Sequence, residues 1–320
     1  TSNFRAGVNA GNSIASGGIQ NVCVGDEAGT AITTGDYNSA FGYKALHSDT
    51  LGNRSTAIGR EALLHQNFTS DTNTYNTAVG YGAGLSNATG LQNTKLGAFS
   101  GYYGTEADNS TFVGYQAGFG NDGSPLTGNN NTAIGSQAGS DIQGAAADNT
   151  FVGFEAGKSL TTATKNTHVG TEAGGVGVIT GTRNNSFGYQ AGLALTSGTN
   201  NVFMGSLSGK AISTGISNTV CGEAALITEA AGDKNTAIGA EALKAQNGGR
   251  DGNVGVGYYA GFALTTGENN TIIGTEAMSL SAITSNANTA VGYRAGQSLT
   301  TGANNTSIGA LAGDQITSGH

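Results

Sequence analysis

The 320-residue sequence predicts an all-β fold, a parallel β-solenoid (β-roll) of about 18 coils with 17–18 residues per coil. Three observations carry that prediction. A glycine recurs 17 times from Gly25 to Gly309, at intervals of 17 or 18 residues, with two 21-residue intervals at Gly59–Gly80 and Gly114–Gly135; a looser copy at Gly7 makes 18. Fixed residue types travel with that glycine. The composition also suits a narrow coil: 55 Gly, one Pro, no Trp, and 11% charged residues, against about 25% in an ordinary domain. The repeat occupies residues 1–320 as a single domain.

Each coil can be read outward from its anchor glycine, taken as position 0. Position −4 is Asn in 15 of 17 copies, Ser55 and Ser110 being the exceptions; stacked Asn side chains can hydrogen-bond along a ladder. Position −3 is Thr in 12 copies, and position −1 is apolar in all 17, from Val24, Phe41 and Ile58 to Ile308. That run has the residue types of a short strand. The glycine itself marks a bend or a close backbone approach. Position +3 is Ala in 15 copies and Ser in two, Ser100 and Ser208, as expected where the coil is too narrow for more. A second apolar row stands at +7 (Ile32, Leu160, Leu195, Ile212, Leu264, Leu299, Ile316), and a Thr/Gly/Asn turn closes the coil. Two helices do not fit in 17 residues, and the apolar positions do not follow a 3.6-residue period.

Side chains alternate along a strand. With position −1 pointing into the coil, position −2 points out, and it is apolar in 12 of 17 copies. A strand apolar on both faces is covered on both, so the expected oligomer interface is Ala40, Ala57, Ala78, Phe112, Ala133, Phe151, Phe203, Val220, Ile272 and Ala290.

The phrase NTAIG (131–135 and 235–239) and its relatives resemble the repeat of YadA-like trimeric autotransporter adhesin heads, parallel β-rolls wound around a three-fold axis. The longer unit, NNTxIGxxAGxxLTTGxN, is similar to repeats of phage tail-fibre proteins. The resemblance implies a homotrimer, an extracellular place on a virion tail fibre or cell surface, and attachment to a host-surface glycan or protein receptor. The expected function is thus a structural, adhesive fibre. A bacterial adhesin head, a glycan-cleaving tailspike and an ice-binding solenoid are the alternatives.

Two sets of residues are candidates for ligand contact. Position +1 is aromatic in seven copies: Tyr43, Tyr81, Tyr115, Phe154, Tyr189, Tyr258 and Tyr293. Tyrosine offers a flat apolar face and a hydroxyl, which suits a sugar. Insertions in solenoids map to loops, often on a binding face. The long turns 63–75 and 117–130 therefore put forward Phe68, Tyr75, Phe119 and Asp122.

The sequence offers little for other chemistries. Nucleophilic catalysis needs a base beside the nucleophile, and the four histidines, His47, His65, His168 and His320, have no repeated partner; no enzyme is expected. The row Glu27, Glu61, Glu155, Glu172, Glu241 and Glu276 at +2 could supply a glycosidase pair, but reads more simply as a solvated row. No cofactor and no metal site are expected, and Cys23 and Cys221 are far apart and read as packing residues. A net charge of −8 with only 13 scattered basic residues argues against a nucleic-acid partner. No apolar run reaches the roughly 20 residues of a membrane-spanning helix, so no membrane insertion is expected. The Thr row at −3 would suit ice only if it faced solvent, and the facing above turns it inward.

Overall fold

A computed structural model describes residues 2–175, 177–280 and 282–318, and among these there is no helix. The chain divides into two compact units, Thr1–Thr164 and Lys165–His320, each wound from the same coil. In the first unit, nine three-residue strands of the main sheet run from Phe4–Ala6 to Thr150–Val152. In the second, nine run from Thr167–Val169 to Thr306–Ile308. Each unit is a parallel β-solenoid, about 18 turns in all. Within each unit every strand pairs, parallel and in register, with the strand one coil later. Thr132, Ala133 and Ile134 align with Thr150, Phe151 and Val152; Thr236, Ala237 and Ile238 align with Val254, Gly255 and Val256. The first long turn adds a small parallel pair, Gly52–Asn53 with Thr72–Asn73.

In-register stacking gives each sequence column a physical cause. The −4 asparagines are buried, Asn305 of the last coil only partly, and the main link between coils runs from backbone to side chain. The Asn38 N–H donates to Asn21 Oδ1 at 2.9 Å, while Asn38 Nδ2 donates to the Gly52 carbonyl at 2.8 Å. Amide-to-amide bonds join it in places, such as Asn218 Nδ2 to Asn201 Oδ1 at 3.0 Å. Where Ser replaces the +3 alanine, its hydroxyl donates to the carbonyl of its own anchor glycine, as Ser100 does to Gly97 at 3.0 Å. The anchor column must be glycine. Gly80 has φ +138°, and a Cβ on it would lie 2.5 Å from the Gly97 carbonyl oxygen.

The facing of the strand is the reverse of the sequence expectation. Cys23, Ala40, Ala57, Ala78, Phe112, Phe151, Phe203, Val220 and Ile272 are wholly buried inside the coil, and Ala133 and Ala290 nearly so. The expected interface residues are therefore core. Position −1 faces outward: Ile58 is 41% exposed, Leu96 46%, Met204 48% and Ile238 40%. The cause is parity. Positions −4 and −2 share a face, and the Asn ladder has to be shielded from water to be worth its hydrogen bonds. The Thr row at −3 accordingly turns outward with −1. Most of the +7 row is core as expected, from Ile32 to Leu299, whereas Ile316 is 43% exposed.

Inside the coil, positions −2 and +4 trade volume. A Cβ on Gly101 or Gly118 would sit 2.8 or 2.6 Å from the Phe112 ring, and Gly192 and Gly209 flank Phe203 in the same way. In three of the coils with Ala at −2, those of Ala40, Ala57 and Ala237, +4 is the buried Leu46, Leu63 and Leu243, whereas Ala78, Ala133 and Ala290 keep Gly there. Those Leu coils carry buried polar residues at +7. In the first unit Gln66 Nε2 donates to Asp49 Oδ2 at 2.6 Å. In the second, Glu229 Oε1 accepts backbone N–H bonds from Ala230, Ala231, Gly232 and Gly249. These carboxylates hold the turns that follow.

Candidate functional site

The outer corner that follows each strand gathers the chemistry-bearing side chains. Its positions are +1, +2, +5 and +6, and the backbone sets their direction. Position +2 is left-handed in coil after coil, for example φ +55° at Glu276 and +53° at Arg294. That bend throws the +2 side chain outward beside +5, above the equivalent pair of the next coil.

The +1 aromatics Tyr43, Tyr81, Tyr115, Phe154, Tyr189, Tyr258 and Tyr293 are each between 41% and 51% exposed. In the first unit Tyr81 packs edge-on to Phe99 (4.9 Å), and Phe99 contacts Tyr102, Tyr115 and Phe119. Tyr102 and Phe119 stack on one another at 5.4 Å and 20°. A shallow cleft of about 160 Å³ lies among Phe99, Tyr102, Tyr103, Gln116 and Phe119. Phe119 thus belongs to the corner cluster. Asp122 is exposed on the 117–130 turn. Tyr75 is 53% exposed, with the Arg54 guanidinium 5.9 Å from its ring centre. Phe68 is only 7% exposed. Its N–H donates to the buried Asp49 and its carbonyl accepts from Thr50, so it fastens its turn and offers little surface to a ligand.

In the second unit the same corner holds a larger cleft. Tyr259 (+2) and Phe262 (+5) meet edge-to-face at 4.7 Å and 85°. One and two coils on, Glu276 and Arg294 (both +2) form an ion pair at 2.6 Å. Arg294 also lies 4.9 Å over the Tyr293 ring. The cleft has a volume of about 440 Å³. The hydrogen bond that its hydroxyl donates to Tyr258, followed by burial, pushes the Tyr259 phenol up to about 12, so its hydroxyl is neutral at any ordinary pH.

The Glu row at +2 is fully partnered. Glu27 lies by Lys44 (3.7 Å) and His47 (3.4 Å), and Glu61 by Arg60 (3.1 Å). Glu155 and Glu241 each hold the lysine three residues on at 2.9 Å. Glu172 accepts from Gln190 at 2.7 Å. Of the remaining histidines His168 is fully buried, which pushes its imidazole down to about 3; His320 lies outside the described residues. Cys23 and Cys221 are free thiols, and burial pushes Cys23 up to about 11. Among the described residues no group of three or more His, Cys, Asp or Glu could hold a metal ion. No described helix is long and apolar enough to cross a membrane.

The residues that sequence reasoning missed are Phe99, Tyr102, Tyr103, Tyr259, Phe262 and Arg294's partner role with Glu276. The available signal was position: all fall at +2, +5 or +6. The fold class is a parallel β-solenoid with an aromatic and charged corner. No protein-family model matches the chain, and no curated protein matches it either.

Proposed function

We propose that the protein is a non-enzymatic adhesive fibre segment of an extracellular homotrimer, a tail fibre or surface adhesin, whose outer corner recognises glycans of a host surface. One observation carries this reading: the outward −1 row of apolar residues runs beside the aromatic corner, as at Ile238 (40% exposed) and Tyr258 (49%). An exposed apolar row of that kind favours burial against another chain. A second copy carries the same row at the same coil spacing, so it matches coil by coil. The number three follows the repeat's resemblance to trimeric heads. Light scattering on the purified protein should give a mass near three times the 31.7 kDa of the chain. Incubation with host polysaccharide should leave the count of reducing ends unchanged; new ends would make the protein a glycan-cleaving spike.

A second reading draws on the outward Thr row. Thr56, Thr77, Thr94, Thr111, Thr132 and Thr150 follow one another in equivalent places, Thr94 exposed and the others half-exposed, about 4.8 Å apart for neighbouring strands. Such an array suits ice. It ranks second because Phe41, Leu96, Phe187 and Met204 project from the same face and roughen it. Thermal hysteresis from a monomeric protein would put this reading first.

A further inference from the structure

A cleft of the second unit spans the three coils anchored at Gly257, Gly274 and Gly292. We propose that this cleft, built on Tyr259, Phe262, Glu276 and Arg294, is a binding site for a neutral hexopyranose residue of a glycan. The proposal rests on the glycan-recognition reading and adds the place and the sugar class.

Size comes first. At about 440 Å³ the cleft falls in the range of roughly 300–1,000 Å³ typical of small-molecule sites. The aromatic cleft of the first unit, about 160 Å³, does not, and there Tyr102 and Phe119 already cover each other's faces. Tyr259 and Phe262 stand at 85° to each other, backed by Tyr258 (4.1 Å from Tyr259) and by Lys244 over the Phe262 ring (5.4 Å), itself paired with Glu241; the ring surface these contacts leave open forms an apolar wall. A pyranose has an apolar C–H face suited to such a wall and a rim of hydroxyls.

The rim meets Glu276 and Arg294. A carboxylate only accepts hydrogen bonds and a guanidinium only donates. Side by side, they match two adjacent hydroxyls, one donating and one accepting. The pair is held in place before any ligand arrives, by its own 2.6 Å contact and by the Tyr293 ring behind Arg294; this lowers the ordering cost of binding. Gln297, 8% exposed, adds an amide to the wall. Charge decides between sugar classes. Glu276 and Arg294 cancel, so an acidic sugar finds no unmatched cation and would have to displace Glu276 from Arg294.

The experiment is a printed array of neutral and acidic oligosaccharides probed with the full chain, then titration of the best neutral hit. The test variant is Arg294→Gln with Phe262→Ser. Both replacements occur at the same coil positions elsewhere, as Gln116 and Ser279, so the coil tolerates them; unchanged circular dichroism and melting temperature verify this. The expected result is neutral-glycan binding weakened at least tenfold by the double variant and unaffected by Tyr75→Ala in the other unit. Binding of a neutral glycan that survives the double variant would overturn the cleft while leaving the fibre reading intact. Binding confined to acidic glycans would overturn the sugar class. Binding to no glycan would overturn both readings together.

Discussion

Lys95 is the most costly side chain in the first unit. It occupies the inward −2 position, 1% exposed, with Nζ donating to Asn87 Oδ1 at 2.9 Å. Its stem lies against Gly84 and Gly101, with Nζ toward Gly104, which stands at +7 where several other coils carry Ile or Leu. Burial lowers its amine to about 7, so in the folded chain the proton leaves some three units below the usual lysine value. Between about pH 7 and 10.5 the unfolded chain binds more protons, and stability rises with pH across that window. At about 1.4 kcal/mol per unit, the neutral-pH cost is on the order of 3–5 kcal/mol. Lys95→Met should therefore melt higher at pH 7, and its advantage should shrink toward pH 10. The difference between the two proteins isolates Lys95, since Cys23, raised to about 11, works in the opposite direction in both. The anchor glycines are the converse case. Gly80→Ala meets both a forbidden φ and the Gly97 carbonyl, and should cost at least about 1–3 kcal/mol by chemical denaturation.

Single coils are stabilised by the exchange of volume between −2 and +4. Phe112→Ala leaves a void between Gly101 and Gly118 and should cost about 3–5 kcal/mol. Adding Gly118→Leu should recover part of it, because Leu46 and Leu63 already occupy the equivalent left-handed place beside Ala40 and Ala57. If the double variant melts no higher than Phe112→Ala, the exchange is coincidental. Coil length and the Asn, Ala and Gly columns were legible because each has a local cause that returns every 17 or 18 residues. The facing was not legible from hydrophobicity alone. Positions −2 and −1 are both apolar in 12 copies, and a period of two carries no sign. Only the parity shared with Asn at −4 could have fixed it. The half-exposed +1 tyrosines were found because they recur. The 440 Å³ cleft was not, since its +5 positions change from Phe262 to Ser279 to Gln297 and its shape depends on stacking three coils.

The reversed facing alters the argument for assembly without removing it. The small Ala-rich row is satisfied inside the coil, and the row that needs a cover is the larger one, with Phe41, Ile58, Leu96, Ile134, Phe187, Met204, Ile238 and Ile273 each 37–48% exposed. A fully buried aliphatic side chain gains roughly 1.5–3 kcal/mol over an exposed one, so completing the burial of many half-exposed residues supplies a large favourable term. Association costs of about 4–15 kcal/mol oppose it. A handful of contacts per copy would not suffice, whereas a row repeated in every coil does. The proposed assembly should therefore respond to charge placed on −1 and ignore charge placed elsewhere on the coil. Ile134→Lys with Ile238→Lys, one change in each unit, should convert the oligomer to a folded monomer by light scattering with circular dichroism unchanged. Lysine at Thr228, exposed and away from the sheet face, should leave the mass as it was. An oligomer that survives the two −1 lysines would mean that the outward apolar row is not what joins the chains.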